Sequence, residues 1–182
     1  MTSDGEDVDR QLVAVLVRRR DERAFSSLYD RHTTYLYRFA LRLTAGDEDV
    51  AQDLVHDAWV RAVQRVAAFE WRSTLRTWLA GFVVSLWRER QRQESREMPL
   101  DDSHDDNGVA LPASLDRLDV ERALASLAPG FREVLVLHDI EGYTHDDIAV
   151  MLGVQPGTSK SQLSRARAAM RRALGDSTTT EH

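Results

Sequence analysis

The chain contains no cysteine, which excludes disulfide bonds, a cysteine nucleophile and any zinc or iron–sulfur centre held by thiolates. It also lacks a run of 18 apolar residues, and its first nine residues are acidic, so neither a membrane span nor a signal peptide is expected. Nine glycines, four prolines and 7% aromatic residues exclude a collagen-like or low-complexity chain. Because short alternating runs of β-branched and aromatic residues are missing as well, an all-β fold is not expected.

What is present is the composition of a globular protein. Apolar residues make up 42% and charged residues 30% of 182 residues, enough for one ordinary domain or two small ones. The net charge of −6 conceals a strong asymmetry. Residues 94–119 carry eight acids against two arginines, whereas residues 156–174 carry five bases and no acid. The second segment therefore predicts a phosphate-binding surface.

Apolar residues recur at helical spacing along most of the chain, which predicts an all-α fold. The expected helices cover residues 8–18, 24–43, 47–66, 74–92, 115–127, 129–140, 145–152 and 156–174. Ser73 is the predicted N-cap of the fourth helix. Val63 is expected on the apolar face of the third helix, which turns toward the core. The periodicity disappears in the acidic stretch that follows. The sequence thus predicts two small helical domains, 8–93 and 114–175, joined by a flexible acidic linker, 94–113.

The second domain is predicted to contain a helix-turn-helix. Thr144 with Asp147 forms a capping box, Gly153 can adopt the left-handed conformation that ends a helix, and Pro156 suits the start of the next. In this motif the second helix enters the major groove of DNA. Polar side chains on that helix are candidate DNA contacts: Thr158, Lys160, Ser161, Gln162, Ser164, Arg165 and Arg171. The alternative is a solvated basic face on a purely structural helical hairpin.

Several stretches resemble a known family. Residues 127–135 (Leu-Ala-Pro-Gly-Phe-Arg-Glu-Val-Leu), with 141–144 and 157–163, resemble region 4 of bacterial RNA polymerase sigma factors. Residues 53–62 (Asp-Leu-Val-His-Asp-Ala-Trp-Val-Arg-Ala) and 75–79 resemble region 2. The chain has no room for region 3, as in the extracytoplasmic-function type. The resemblance implies a cytoplasmic initiation factor, not an enzyme, that binds core RNA polymerase and promoter DNA without a cofactor and without a membrane. An anti-sigma protein is a further candidate partner.

The same resemblance implies roles for region 2. The helix at 47–66 would dock on the clamp helices of the polymerase's largest subunit, with Asp53, His56 and Asp57 on one side at i, i+3 and i+4. Carboxylates there suit an arginine-bearing surface, although an ordinary solvated face is the alternative. The loop at 69–73 and the next helix would open the promoter. Candidate DNA contacts are Trp71, Arg72, Ser73, Arg76, Ser85 and Arg88, whereas Trp78 and Phe82 are expected in the core.

Three of the departures from the family pattern bear on promoter recognition. Ser85 stands where many members carry an asparagine, Ser159 where a valine packs, and Gln162 where an arginine is usual. Glutamine favours adenine whereas arginine favours guanine, so altered promoter recognition is expected.

Two other functions fit less of the chain. A stand-alone helix-turn-helix regulator, binding duplex DNA as a dimer, has no need for residues 53–62 or the loop at 69–73. A metal-dependent hydrolase would need three convergent ligands. Each of the runs at 104–106 and 145–147 offers one histidine beside two aspartates, so no metal site is expected.

Overall fold

The computed structural model describes residues 3–97 and 117–175, and within these ranges the chain is helical and contains no strand. The all-α prediction is confirmed. The helices are α1 Ser3–Arg19, α2 Glu22–Leu43, α3 Glu48–Arg65, α4 Leu75–Glu97, α5 Arg117–Ala125, α6 Pro129–Leu135, α7 His145–Leu152 and α8 Pro156–Gly175. A 3-10 turn, Val66–Ala68, follows α3, and a π-helical turn, Val136–Ile140, follows α6. Predicted linker residues 98–113 lie outside the described ranges, and α4 includes residues 94–97.

The chain forms two compact units. The first contains the residues up to Ala40 together with Asp49–Leu86. The second contains Leu41–Glu48 and the described residues from Trp87 onward. Helices α2 and α4 therefore each contribute their last residues to the second unit. None of the helices in the described ranges combines the length and apolar character needed to cross a membrane.

The first unit is organised around the apolar stripes of α2, α3 and α4. The side chains of Phe39, Leu54 and Val83 are buried there. A polar pair ties α1 to α2: the buried carboxylate of Asp9 accepts a hydrogen bond from Arg31 Nε at 2.9 Å and lies 3.1 Å from Nε2 of the buried His32. Burial lowers the pKa of His32, against the opposing effect of Asp9.

The second unit is organised around a buried arginine on α6. Arg132 donates hydrogen bonds to the backbone oxygens of Leu124 and Ala125, at the end of α5, at 3.1 and 3.0 Å, and to that of Leu127, two residues beyond it, at 2.7 Å. A fourth bond, at 2.9 Å, reaches the oxygen of Leu43 at the end of α2. The last carbonyls of a helix lack partners within that helix, so the guanidinium supplies hydrogen-bond donors to backbone groups at the ends of α2 and α5.

Two predictions of local structure need correction, and two are confirmed. Ser73 is not the N-cap of α4: Thr74 Oγ1 accepts the hydrogen bond from the Thr77 N–H at 3.1 Å, so the capping role moves by one residue. The span 129–140 is helical, but its last five residues wind as a π-helix, in which the Glu141 N–H reaches the Val136 oxygen at 3.0 Å. The capping box of α7 and the left-handed Gly153, with φ of 62°, are present as predicted.

Candidate nucleic-acid interface

A helix-turn-helix is formed by α7, the turn 153–155 and α8. Gly153 ends α7, and the Val154 N–H returns to the Ala149 oxygen at 3.0 Å. Ile148 and Leu152 on α7 are buried, as are Leu163 and Ala166 on α8. Since one face of α8 is used in this packing, its opposite face is left to solvent.

Most of the predicted DNA contacts lie on that solvent face of α8. The side chains of Thr158, Lys160, Ser161, Ser164, Arg165 and Arg171 are exposed. Gln162 differs, because it is half-buried and its Nε2 lies 3.6 Å from the position that a Cβ atom on Gly130 would take. Its Oε1 is buried without a hydrogen-bond partner. The carboxamide thus packs against the start of α6, and base reading by Gln162 stays a prediction that requires the side chain to turn outward.

Ser159 is explained by a contact that the sequence did not reveal. Its hydroxyl is fully buried and forms a hydrogen bond of 2.9 Å with Nδ1 of His145, the first residue of α7. The His145 ring stacks on that of His138, with 4.6 Å between the ring centroids. Asp139 lies 2.8 Å from His138 Nδ1 and accepts a bond from Arg167 Nε at 2.9 Å. This histidine cluster links the π-helical turn to both helices of the motif.

Two groups of the histidine cluster, His145 and Asp139, have shifted pKa values. Burial lowers the pKa of His145, and the nearby positive charges of His138, Lys160 and Arg167 lower it further, against an opposing contribution from Asp146. The hydrogen bond from Arg167 lowers the pKa of Asp139. The folded motif therefore disfavours the protonated form of His145 and favours the ionised form of Asp139.

The second unit is expected to lose stability as the pH falls. A histidine whose pKa is lower in the folded than in the unfolded chain favours unfolding once the unfolded form takes up a proton, at pH values below about 6.5. His145→Gln removes this proton uptake, so its melting temperature should fall less between pH 7 and pH 5 than that of the wild type. Thermal unfolding of the full chain, followed by circular dichroism, measures the difference. His56→Gln, at an exposed position on α3, is the control, and equal pH slopes for all three chains would contradict the expectation.

The predicted docking residues share one face of α3. Asp53, His56 and Asp57 are all exposed, whereas Leu54, Val55 and Ala58 on the other face are buried. The structure thus brings the three predicted residues together. The expectation that Val63 lies inward is wrong, because Val63 is 45% exposed. Val60 is equally exposed and lies three residues beyond Asp57, so an apolar patch continues the acidic face.

The loop at 69–73 holds an aromatic cluster. Trp71 has a φ of 57°, which is rare for a bulky side chain, and its ring centroid lies 4.7 Å from that of Phe69. Phe69 stacks on Trp78 at 4.7 Å, and Trp78 meets Phe82 edge to face at 4.8 Å. Trp78 and Phe82, expected in the core, are half-buried members of this cluster. The Arg10 guanidinium of α1 lies 4.5 Å from the centroid of the Trp71 ring.

The other predicted contacts of region 2 have different surroundings. Arg72 is exposed and pairs with Glu70 at 2.7 Å, and Ser73 is half-buried beside it. The Arg76 guanidinium lies 3.5 Å from the centroid of the Tyr35 ring, and Ser85 is exposed on α4. Arg88 is half-buried, with its Nη1 3.7 Å from Oε2 of the buried Glu133, and both residues belong to the second unit. Burial raises the pKa of Glu133, which the Arg88 charge opposes.

No cluster of three histidine, aspartate or glutamate side chains within residues 3–97 and 117–175 is arranged to hold a metal ion. The run at 104–106 lies outside the described residues.

Comparison with known proteins gives a consistent result for both units. Residues 28–97 match the family model for sigma-70 region 2, and residues 117–170 match that for sigma-70 region 4. The chain is 34% identical over 171 residues to the ECF RNA polymerase sigma factor SigM of Mycobacterium tuberculosis, covering 92% of this chain and 85% of SigM.

Two solved structures have a similar fold. The sigma factor RpoE of Bartonella quintana, in complex with the anti-sigma factor NepR, is 30% identical, with a TM-score of 0.64 and coverage of 83% of this chain and 96% of RpoE. CnrH, in complex with the cytosolic domain of CnrY, is 27% identical, with a TM-score of 0.61 and coverage of 92% and 97%.

Proposed function

The chain belongs to the extracytoplasmic-function RNA polymerase sigma factors, and from this membership we propose which surfaces of its two helical units contact polymerase and promoter. The protein is a transcription initiation factor that binds core RNA polymerase and directs it to specific promoters. A stand-alone helix-turn-helix regulator is disfavoured, because the match to region 2 accounts for residues that such a regulator does not need. The role we propose is non-catalytic, and its place is the cytoplasm, where bacterial core polymerase works.

The observation that supports DNA recognition most directly is the polar solvent face of α8. Its N-terminal half exposes hydroxyl groups and basic side chains, such as those of Ser161 and Arg165. These can form hydrogen bonds with the edges of the DNA bases in the major groove of the minus-thirty-five element. Arg171 lies about four turns further along the same helix than Pro156. We assign it to the phosphate backbone, which positions a protein on DNA without reading sequence.

The proposed division of α8 can be tested with two arginine variants. Arg165→Ala should change which upstream bases are preferred, by about 1–3 kcal/mol for each base that the side chain no longer reads. Arg171→Ala should weaken all promoters alike and lower the slope of log affinity against log salt by about one. Both are measured by promoter-library transcription with the sigma–core holoenzyme. If Arg165→Ala ranked the promoters in the same order as the wild type and Arg171→Ala do, the assignment of Arg165 to base reading would be refuted.

The exposed face of α3 is the proposed contact with core polymerase. Asp53 and Asp57 present two carboxylates to solvent, and His56 lies between them. An arginine-bearing partner surface can pair with such carboxylates through two parallel hydrogen bonds. Exposed Val60 and Val63 add apolar area beside the acidic groups, as the buried centre of a protein interface requires.

The aromatic cluster around Trp71 is the proposed site of promoter opening at the minus-ten element. Unpaired bases are held by stacking on aromatic rings beside a cationic track for the strand. Phe69 and Trp71 supply rings, while Arg72 and Arg76 supply positive charge. Ser85 on the next helix is exposed, as a residue that contacts the strand needs to be.

An anti-sigma protein is a proposed partner. The support is that RpoE and CnrH, which share this fold, were both solved in complex with an anti-sigma factor or a partner's cytosolic domain. A protein that occupied the α3 face would block core polymerase by direct competition. Competition between such a partner and core polymerase for the wild-type sigma chain measures this effect.

A further inference from the structure

Arg10 lies on α1, outside the matched region 2, which begins at residue 28. The fold nevertheless brings its side chain to Trp71, 61 residues further along the sequence, where the guanidinium carbon lies 4.5 Å from the ring centroid. This distance is typical of a guanidinium over an aromatic ring, where the cation is attracted to the π-electrons of the ring face. Arg10 therefore adds a cation to the aromatic cluster from a helix outside the matched region.

The Trp71 ring packs against other aromatic side chains. The centroid of its ring lies 4.7 Å from that of Phe69, and the Phe69 ring stacks in turn on that of Trp78 in α4. The backbone of Trp71 is held at a φ of 57°, so the loop presents this ring in a conformation that bulky residues rarely adopt. Arg10 therefore continues an ordered series of rings toward solvent.

The guanidinium of Arg10 is itself accessible. The residue is exposed, and a neighbouring acid, Glu6, pairs with Nη2 at 3.2 Å in an exposed i, i+4 pair. Ion pairs that are exposed in this way are weak and exchange readily with solvent. A guanidinium has five N–H donors and two flat faces. The ring of Trp71 covers one face and Glu6 binds at Nη2, so the other face and several N–H donors remain available.

We propose that Arg10 is a further DNA-contact residue, which holds one unpaired nucleotide of the melted promoter strand by stacking the base on its outer face and donating hydrogen bonds to the neighbouring phosphate. This inference rests on the proposed role of the Trp71 loop in promoter opening. Bases stack on arginine planes as well as on aromatic rings. The contact would be sequence-tolerant, because every base has a flat face. Glu6 competes with the phosphate for the same donors.

The experiment uses full-length sigma assembled with core polymerase and a forked promoter, in which the upstream element is duplex and the minus-ten segment of one strand is single. Arg10→Ala is expected to weaken binding to the fork about tenfold, the effect of losing one stacked base. Arg10→Lys should lose most of the same affinity, because lysine keeps the charge but not the plane. Arg18→Ala, at another exposed arginine of α1, should bind as the wild type does.

A purely structural role for Arg10, as a pin for Trp71, predicts different results. Glu6→Gln removes the competing carboxylate, so it should strengthen fork binding severalfold if Arg10 contacts DNA, and leave it unchanged or weaker if Arg10 only holds the loop. Unchanged fork binding by Arg10→Ala, wild-type binding by Arg10→Lys, or an equal loss in Arg18→Ala would each overturn the proposal. Failure of the underlying role of the loop is distinguishable, since wild-type holoenzyme would then show no preference for the fork over the fully duplex promoter.

Discussion

Arg132→Met is expected to destabilise the second unit by about 3–5 kcal/mol, because each buried carbonyl that loses its donor costs about 1–3 kcal/mol. Methionine fills a similar volume but donates no hydrogen bond. The carbonyls of Leu124, Leu127 and Leu43, which Arg132 satisfies, would be left without this donor in a largely buried place. Since native proteins are stable by only about 5–15 kcal/mol, a loss of this size removes most of the stability of a domain at the low end of that range.

Urea unfolding of the full chain, followed by circular dichroism, measures the loss. Arg90→Met is the matched control, because Arg90 belongs to the same unit, is 41% exposed and pairs with the exposed Glu94 at 3.0 Å. A surface pair of this kind should change stability by less than about 1 kcal/mol. The stability of Arg132→Lys should be closer to that of Arg132→Met than to that of the wild type. The planar guanidinium of arginine reaches four carbonyls at once, whereas the compact ammonium group of lysine cannot. Equal unfolding free energies for Arg132→Met and the wild type would show that the network contributes nothing.

Reversing the charge of Asp53 and Asp57 together should reduce the affinity for core polymerase well over tenfold. Truncating one side of a buried, hydrogen-bonded charge pair at an interface costs about 2–5 kcal/mol, and reversal adds repulsion. The fold should persist, because both side chains are exposed and the apolar residues that hold α3 are on its other face.

Affinity is measured by competition with the wild-type chain for a limiting amount of core polymerase. The control carries Glu22→Arg with Asp30→Arg, two exposed positions on α2, and so has the same change in net charge. A double variant at Asp53 and Asp57 that competes as well as wild type would place the docking face elsewhere. If the control loses as much affinity, the effect is one of overall charge and not of the α3 face.

The elements that the sequence predicted well are those that depend on neighbours in the chain. α7 begins and ends where Thr144, Asp147 and Gly153 place its caps, because capping bonds join residues within four positions of each other. The exposed acids of α3 followed from helical periodicity for the same reason. The cap of α4 was misplaced by one residue, since Ser73 and Thr74 offer similar hydroxyls and only the backbone conformation chooses between them.

The contacts that the sequence could not predict join distant segments. Ser159 is an unusual polar residue on an inward stripe, but its partner, His145, is 14 positions away, and the sequence pattern around His145 suggests only a metal ligand, which is not expected. Arg132 belonged to a recognised motif, yet nothing local indicated that it would be buried with four carbonyl partners. Arg10 and Trp71 are 61 positions apart. A hydrophobic pattern specifies which side chains turn inward, but not which polar groups they meet there.

The π-helical turn at Val136–Ile140 determines how α6 is rotated relative to α7. Its bond from the Glu141 N–H to the Val136 oxygen encloses one residue more than an α-helical turn does. Each residue of an α-helix turns the chain by about 100°, so deleting one residue here would rotate α6 relative to α7. His138 would no longer lie over His145, although the packing of α7 on α8 would be untouched. Relatives that differ by a single insertion or deletion at this point can therefore keep the same DNA-binding hairpin while presenting it at a different rotation to the rest of the second unit.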